Sequence, residues 1–318
     1  MIHTATVHPT GESGAVVQGR YAIRGFVGEG GMARVYLAED AANGERVAVK
    51  ILRREQAGDR LSRQRFLREV DVARTLHHPN IARILGAGER PDRSPFLVLE
   101  FLSGESLGDL LDREPRLPEP YALELMREAA SALVAAHEAG VIHRDIKPDN
   151  LFLTMDRRLK IVDFGFAKLK EGAVTATGMT VGTVPYMAPE QALADPVDGR
   201  TDVYGLGVTM FHALTGSLPF DDESDAKVVA AHLYLPPPAP SARRPGLDPR
   251  LDDVVLAALR KRPGNRYPSM QALLEDIERL LGARGGPIAA PAPVYEPDVY
   301  EARNPMSRSA ARHLRALV

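Results

Sequence analysis

The chain contains no cysteine. That excludes a disulfide framework, a thiolate nucleophile and a cysteine-ligated metal, and it fits a reducing, cytoplasmic setting. Nor is there a surplus of positive charge. Lys and Arg number 40 against 42 Asp and Glu, for a formal net charge of −2. Proteins that grip nucleic-acid phosphates without regard to sequence carry a basic excess, so no nucleic-acid partner is expected. The start, "MIHTATVHPTGESG", lacks a basic stretch leading into an apolar core, so no signal peptide is visible. Residues 203–220 hold no Asp, Glu, Lys or Arg, but Gly205, Gly207, His212, Gly216 and Pro219 interrupt them. They read as a buried helix ending in a turn rather than a membrane span, and the chain reads as soluble. No internal repeat is present.

What remains is ordinary globular material: 318 residues, 44% hydrophobic and 26% charged, enough for one large domain or two lobes with a sizeable core. Residues 1–20 read as a flexible leader. From Tyr21 to about residue 102 the signals are mostly strands. "RVYLA" and "RVAVKIL" flank a hairpin-type Asn43-Gly44, and "PFLVLEF" is a further strand. A helix over 62–75 interrupts them, with Phe66, Val70 and Ala73 at helical spacing. From about 103 to 281 helical periodicity dominates, over 121–139, 201–214, 251–260 and 270–281. "LPPPAPSARRP" reads as a loop, and 282–318 as a Pro/Ala-rich linker and basic tail. The coarse reading is a small β-rich lobe followed by a larger helical one.

The glycine-rich "GEGGMARV" offers Gly28, Gly30 and Gly31, with Ala33 where a third regularly spaced glycine might stand. A dinucleotide-binding loop needs a helix directly after the glycines and an acidic residue about twenty positions on. Here a strand follows, and the later position falls in the basic "VAVK". A Walker loop needs Gly-Lys-Ser/Thr, which is missing. A glycine loop between two strands can instead cover phosphates with its backbone N–H groups. On the next strand Val47, Val49 and Ile51 share one face, while Ala48, Lys50 and Leu52 share the other. Lys50 then stands beside a small residue, inside an apolar run.

Three further stretches carry chemistry: "VIHRDIKPDNLFL", "IVDFGFA" and "GTVPYMAPE". Phosphoryl transfer needs an acceptor for the substrate hydroxyl proton, oxygen ligands for Mg²⁺ and cations for the γ-phosphate. Asp145, the pair Asn150 and Asp163, and the lysines Lys147 and Lys50 could supply them. Each motif alone could be a charged loop; the ordered set is harder to explain that way.

In these ordered motifs, "GEGGMARV", "VAVK", "HRDIKPDN", "DFG" and "APE", the sequence resembles the eukaryotic-type (Hanks-type) protein kinase family, in its bacterial serine/threonine branch. The resemblance spans roughly residues 21–281. It implies an α+β bilobal kinase fold, a protein serine/threonine kinase activity in signal transduction, and ATP with Mg²⁺ as cofactors, Mn²⁺ being an alternative ion. It also implies roles. Gly28, Gly30 and Gly31 would cover the phosphates. Val35 and Ala48 would close on the adenine from above and Phe152 from below, with Leu99 as gatekeeper and the Glu100 carbonyl and Leu102 N–H bonding the base. Lys50 would hold the α- and β-phosphates and pair with Glu69. Asp145 would be the catalytic base, Lys147 its neighbouring cation, and Asn150 and Asp163 the metal ligands. Thr183 would position Asp145, Lys147 and the substrate loop. Glu190 would pair with Arg266, and Asp202 would brace the catalytic loop. Arg144 would receive a phosphate carried by Thr175 or Thr177, the threonines at autophosphorylation offsets.

A pseudokinase scaffold finds no support in the sequence, since Lys50, Glu69, Asp145, Asn150 and Asp163 are all present. A small-molecule phosphotransferase is disfavoured by "GTVPYMAPE", which resembles the peptide-positioning segment of protein kinases. Protein substrates are therefore the expected partners, and a homodimer stays open. His77 and His78 read as a turn before a strand rather than a metal site. The tail, with Ser307 and Ser309 among arginines, is expected to be solvated, with autophosphorylation, autoinhibition or docking of a short helix as alternatives.

Overall fold

The alternation read in the first hundred residues is realised as an antiparallel sheet. The computed structural model describes residues 14–29, 33–52, 70, 74–164, 184–282, 298–300 and 315. Strands β1 (Val16–Val17), β2 (Tyr21–Glu29), β3 (Ala33–Asp40), β4 (Arg46–Leu52), β5 (Ile84–Glu89) and β6 (Pro95–Glu100) lie in the order β1-β2-β3-β4-β6-β5. The Asn43-Gly44 turn closes β3 onto β4, as its sequence predicts. Asp40 O accepts the N–H groups of Asn43 and Gly44 at 3.2 and 2.7 Å, and Gly44 takes the left-handed φ of 74° that suits glycine. Because side chains alternate across a strand, β4 serves two cores. Val47, Val49 and Ile51 pack with Ile23, Tyr36 and Phe96 on one face. Ala48 faces the opposite way, into a cluster that reaches the second lobe.

The predicted helix over 62–75 lies outside the described residues except at its end and at Val70, which is fully buried. After β6 the chain forms β7 (Gly104–Ser106) and a short helix α1 (Leu107–Arg113) that the sequence reading missed. A capping box starts it: Ser106 Oγ accepts Asp109 N–H at 3.0 Å, and Asp109 Oδ2 accepts Ser106 N–H at 3.1 Å. Helix α2 (Glu119–Glu138) begins two residues before its predicted start, because Pro118 pre-sets the entry. Its apolar stripe of Leu125, Ala129, Leu133 and Ala136 is buried as read. Strands β8 (Leu151–Thr154) and β9 (Leu159–Ile161) complete a small sheet with β7.

Beyond residue 184 come α3 (Pro189–Ala192), α4 (Gly199–Thr215), α5 (Asp225–Tyr234), α6 (Pro240–Arg243), α7 (Arg250–Ala258) and α8 (Met270–Gly282). Helix α4 takes up most of the uncharged run of the sequence, through Thr215. It is buried on nearly every side and stops at Gly216, whose φ is 74°. Among the described residues no helix is long and apolar enough to cross a membrane. The proline-rich stretch is not all loop. Pro240 starts the α6 turn, and Ser241 bonds Asp252 through its N–H and hydroxyl at 2.9 and 2.5 Å.

One ion pair ties the segment after residue 184 to the far end of the lobe. Arg266 Nη1 and Nη2 donate to the Glu190 carboxylate at 2.7 and 2.8 Å, with both side chains essentially inaccessible. The remaining guanidinium N–H groups go to the carbonyls of Arg200, Arg260 and Lys261. All five donors are therefore used, and the Thr201 hydroxyl adds a bond to Glu190 at 2.8 Å. Removing one partner strands a buried charge. Arg266→Ala is expected to lower unfolding stability by about 3–5 kcal/mol in denaturant titration. Arg266→Lys should recover only part of this, because a lysine keeps the charge but loses the fork.

Candidate active site

The cleft between the lobes is apolar where the two meet. Val27 and Val35 come from β2 and β3, Ala48 from β4, Leu99 from β6, Leu102 from the connection, and Phe152 and Val162 from the second lobe; together they belong to one buried cluster. Val35 and Ala48 therefore lie on the sheet side and Phe152 on the other, the arrangement expected around an adenine. Gly28, next to the end of β2, lies opposite Val35, whereas Gly30 and Gly31 lie outside the described residues. The Glu100 side chain has a role that was not predicted. It accepts the Arg83 N–H at 3.0 Å and the Lys160 ammonium at 2.7 Å, pinning the connection to β9. A small pocket behind Leu99 is lined by Lys50, Ile84, Leu97, Asp163 and Phe164.

The expected pairing of Lys50 with Glu69 falls outside the described residues. The Lys50 Nζ lies 2.7 Å from Asp163 Oδ1, so the described partner comes from the second lobe. Opposite charges across a partly shielded cleft attract strongly enough to make this contact. Burial pushes the Asp163 carboxyl up, but the Lys50 charge and hydrogen bond outweigh it and hold the group below its ordinary range. Asp163 has φ 57° and Arg144 has φ 66°, left-handed conformations that are costly for residues with a side chain and that concentrate at functional sites.

His143 explains how the two motifs are joined. Its Nε2 lies 3.0 Å from Val162 O, a carbonyl that can only accept, so Nε2 carries the proton. Nδ1 is then free to accept the Asp145 N–H at 3.2 Å. Burial lowers the pKa of this fully enclosed imidazole and keeps it neutral, as that pair of bonds requires. Asn150 adds a second link. Its Nδ2 donates to Asp145 O at 2.7 Å and to Asp145 Oδ2 at 3.1 Å, and its backbone carbonyl accepts the Val162 N–H at 3.0 Å. Lys147 Nζ sits 3.9 Å from Asp145 Oδ2. Asp145, Lys147, Asn150 and the strand end before Asp163 are thus brought together.

Asp202, buried in α4, supports this loop from below. Its carboxylate accepts the N–H groups of His143 and Arg144 at 2.9 and 2.8 Å and the His137 Nε2–H at 2.7 Å. Gln191 was not foreseen. Its amide donates to Arg144 O at 2.8 Å while its oxygen accepts the Ala188 N–H at 3.1 Å, linking the "APE" segment to the catalytic loop. Thr175, Thr177 and Thr183 lie outside the described residues. His78 accepts the Asn80 N–H and contacts Ser131, and His77 contacts Thr75 O, consistent with structural roles. Among the described residues no group of three or more His, Asp or Glu could hold a metal.

The segment after residue 184 rests on another neutral imidazole. His232 Nε2 lies 3.0 Å from Pro185 O, and Nδ1 lies 2.7 Å from the Tyr204 hydroxyl. Burial, reinforced by the Lys261 charge, lowers its pKa to about 3.

Comparison with known proteins gives a consistent picture. A family model described as a protein kinase domain matches residues 21–276. The chain is 40% identical over 279 residues to the serine/threonine-protein kinase PksC of Streptomyces coelicolor, covering 85% of this chain and 50% of that protein. It is 38% identical over 278 residues to the serine/threonine-protein kinase PknB of Mycobacterium tuberculosis, covering 86% and 44%. It thus spans about half the length of these curated relatives. The crystal structure of the Mycobacterium tuberculosis PknI kinase domain matches with a TM-score of 0.69 and 31% identity, over 85% of this chain and 99% of that one.

Two outcomes follow. Asp202→Ala leaves two buried backbone donors and His137 without an acceptor, and is expected to cost about 2–4 kcal/mol of unfolding stability. Asp202→Asn, which keeps one acceptor oxygen, should cost less. For His232 the folded pKa is depressed from an unfolded value of 6.5 to about 3. In that window the unfolded chain binds a proton that the folded chain does not, so stability falls as pH drops. The slope is about 1.4 kcal/mol per pH unit, giving about 2 kcal/mol between pH 6.5 and 5. Comparing denaturation of His232→Gln and the unaltered chain at the two pH values isolates this share.

Proposed function

We propose, from the premise that the chain belongs to the protein kinase domain family, that it transfers the γ-phosphate of ATP to serine and threonine hydroxyls of proteins. The observation that carries this reading is the joining of Asp145, Asn150 and the strand end before Asp163 into one hydrogen-bonded unit facing Lys50. Such a unit combines a carboxylate base, oxygen ligands and cations in one cleft, which is what phosphoryl transfer requires. Lys147 after "HRD" and the named kinases among the relatives favour serine and threonine over tyrosine.

Family membership implies the use of ATP and a divalent ion, and the donor set fits a hard cation. Asp163 offers a carboxylate. Asn150 turns its amide nitrogen to Asp145, which leaves its oxygen as the outward end. Asp163 and Asn150 would hold the ion, and an oxygen-only pair of this kind suits Mg²⁺; Mn²⁺ is the alternative. Held there, a divalent ion would supply positive charge against the phosphates. The protein does the rest. Lys50 holds the phosphates, Asp145 receives the hydroxyl proton, and Lys147 places a positive charge beside it.

Autophosphorylation of Thr175 or Thr177 belongs to the same proposal. It is supported by Arg144, whose buried Nε finds no hydrogen-bond acceptor among the described residues. A phosphate near such a guanidinium would order the segment that carries it. Protein substrates are the partners in this reading, a homodimer is compatible with it, and the cytoplasm supplies the ATP.

Asp145→Asn should lower transfer from labelled ATP to a generic protein substrate by about 100-fold or more, with ATP affinity and melting temperature retained. Phosphosite mapping on the unaltered chain should find Thr175 or Thr177. Equal labelling by both proteins would overturn the kinase reading. Unchanged activity after replacing both threonines with Ala would overturn the activation step.

A further inference from the structure

A buried tyrosine far along the tail serves no purpose in the chemistry above. Tyr300 is 4% exposed and packs with Val184, Leu193, Val228, Val229 and Leu233. Its hydroxyl donates to the buried Asp195 Oδ2 at 2.8 Å, and its N–H to Leu233 O at 2.9 Å. Asp298 anchors the other end of the stretch. Its carboxylate accepts the N–H groups of Lys261 and Arg262 at 2.5 and 3.4 Å and the Asn265 amide at 3.0 Å. Between them, Val299 O accepts the Arg262 Nε–H at 3.2 Å. Residues 298–300 were expected to belong to a linker and a solvated tail; instead each of the three is engaged by the helical lobe.

We propose that Asp298–Tyr300 is an intramolecular clip that holds the peptide-positioning segment of residues 184–195 in its working arrangement, and so sets the affinity for protein substrate. The proposal rests on the kinase reading above. Two features of the contact argue for it. Tyr300 bonds the far end of the segment at Asp195, whose own N–H bonds Glu190 O at 2.9 Å, and shares one apolar cluster with Val184, the residue after Thr183. It also packs on α5, the helix whose His232 holds Pro185 O. Asp298, for its part, fixes the turn whose Arg260 and Lys261 carbonyls orient Arg266, the partner of Glu190. The clip thus grips the segment directly and also through the buried ion pair. Its anchors are on α5, Asp195 and the 261–265 turn, away from the residues assigned to the nucleotide. Asp298 and Tyr300 are positioning residues, and they should affect peptide more than ATP.

The test uses the full chain with Tyr300→Ala, Tyr300→Phe and Asp298→Asn, read by hydrogen exchange and by steady-state kinetics. Exchange at 184–195 and 228–234 should quicken by about 10-fold in Tyr300→Ala and less in Tyr300→Phe, which keeps the ring and loses only the hydroxyl. The KM for a generic peptide substrate should rise by about 5–10-fold while the KM for ATP stays within about twofold. A synthetic peptide of residues 296–302 added to Tyr300→Ala should restore protection. Tyr300→Phe and Asp298→Asn decide the matter if Tyr300→Ala unfolds. Unchanged exchange in the folded variants overturns the clip whatever the activity. Faster exchange with unchanged peptide KM, or an equal rise in both KM values, overturns its role in substrate affinity. A chain that transfers no phosphate refutes the kinase reading and the substrate role that rests on it, while the exchange data still decide the clip.

Discussion

A guanidinium with every N–H satisfied, set against a carboxylate that water cannot reach, permits few arrangements of the chain around it. The Glu190–Arg266 pair has that character. Burying two charges is expensive, and their attraction largely offsets that cost rather than exceeding it. What the pair contributes is position. Arg266 can satisfy its remaining donors only if the carbonyls of Arg200, Arg260 and Lys261 converge on it. The start of α4, the turn after α7 and the segment ahead of α4 are thereby fixed to one point. The tyrosine ring of α4 lies under the same guanidinium, 4.8 Å from Tyr204 to the charge centre, adding a cation–π contact.

The catalytic loop uses the same device with one charge instead of two. Asp202 is a buried carboxylate whose partners are two backbone amides and an imidazole. Asp202 sits in the first turn of α4 and Glu190 accepts the Thr201 hydroxyl of the same turn, so one helix start references the segment after residue 184 and the loop around Asp145 alike. His143 then passes that reference on to the strand end that carries Asp163, because a neutral imidazole has one donor and one acceptor to give. A charged imidazole would lose the acceptor. The apolar burial of this ring, including its contact with Phe164 at 4.7 Å, is therefore part of the positioning.

Local signals were legible in the sequence because their causes are local. The Asn43-Gly44 turn, the two-faced β4 and the stripe of α2 each follow from neighbours within a few residues. The helix beginnings and ends shifted by one or two residues where Pro118 or Asp198 set the cap. Helices α1 and α5 escaped notice because a single turn or two of apolar spacing does not stand out from a loop. The site residues Asp145, Asn150 and Asp163 were legible as an ordered motif set, and Glu190 with Arg266 through resemblance. The Lys50–Asp163 contact, Gln191 on Arg144 and Tyr300 on Asp195 were not. Their partners lie 47 to 113 positions apart, and no periodicity encodes a pairing at that range.

The same long-range contacts divide the molecule by task. On the nucleotide side the β-sheet, Phe152 and the Lys160–Glu100 bond define a slot whose walls are strands and whose hinge is pinned. On the peptide side, short turns and a four-residue helix carry the segment, and structure of that kind has little stability of its own. It must borrow order from outside, and it does so from the Arg266 fork, the His232 imidazole and the Tyr300 ring. The two sides are bridged by Gln191 Nε2 on Arg144 O, next to Asp145. A disturbance of residues 184–195 therefore has a short route to Asp145, whereas the apolar slot around Ala48 and Phe152 is supported by different residues. On the proposed kinase reading, that asymmetry places the clip's effect on protein substrate rather than on ATP.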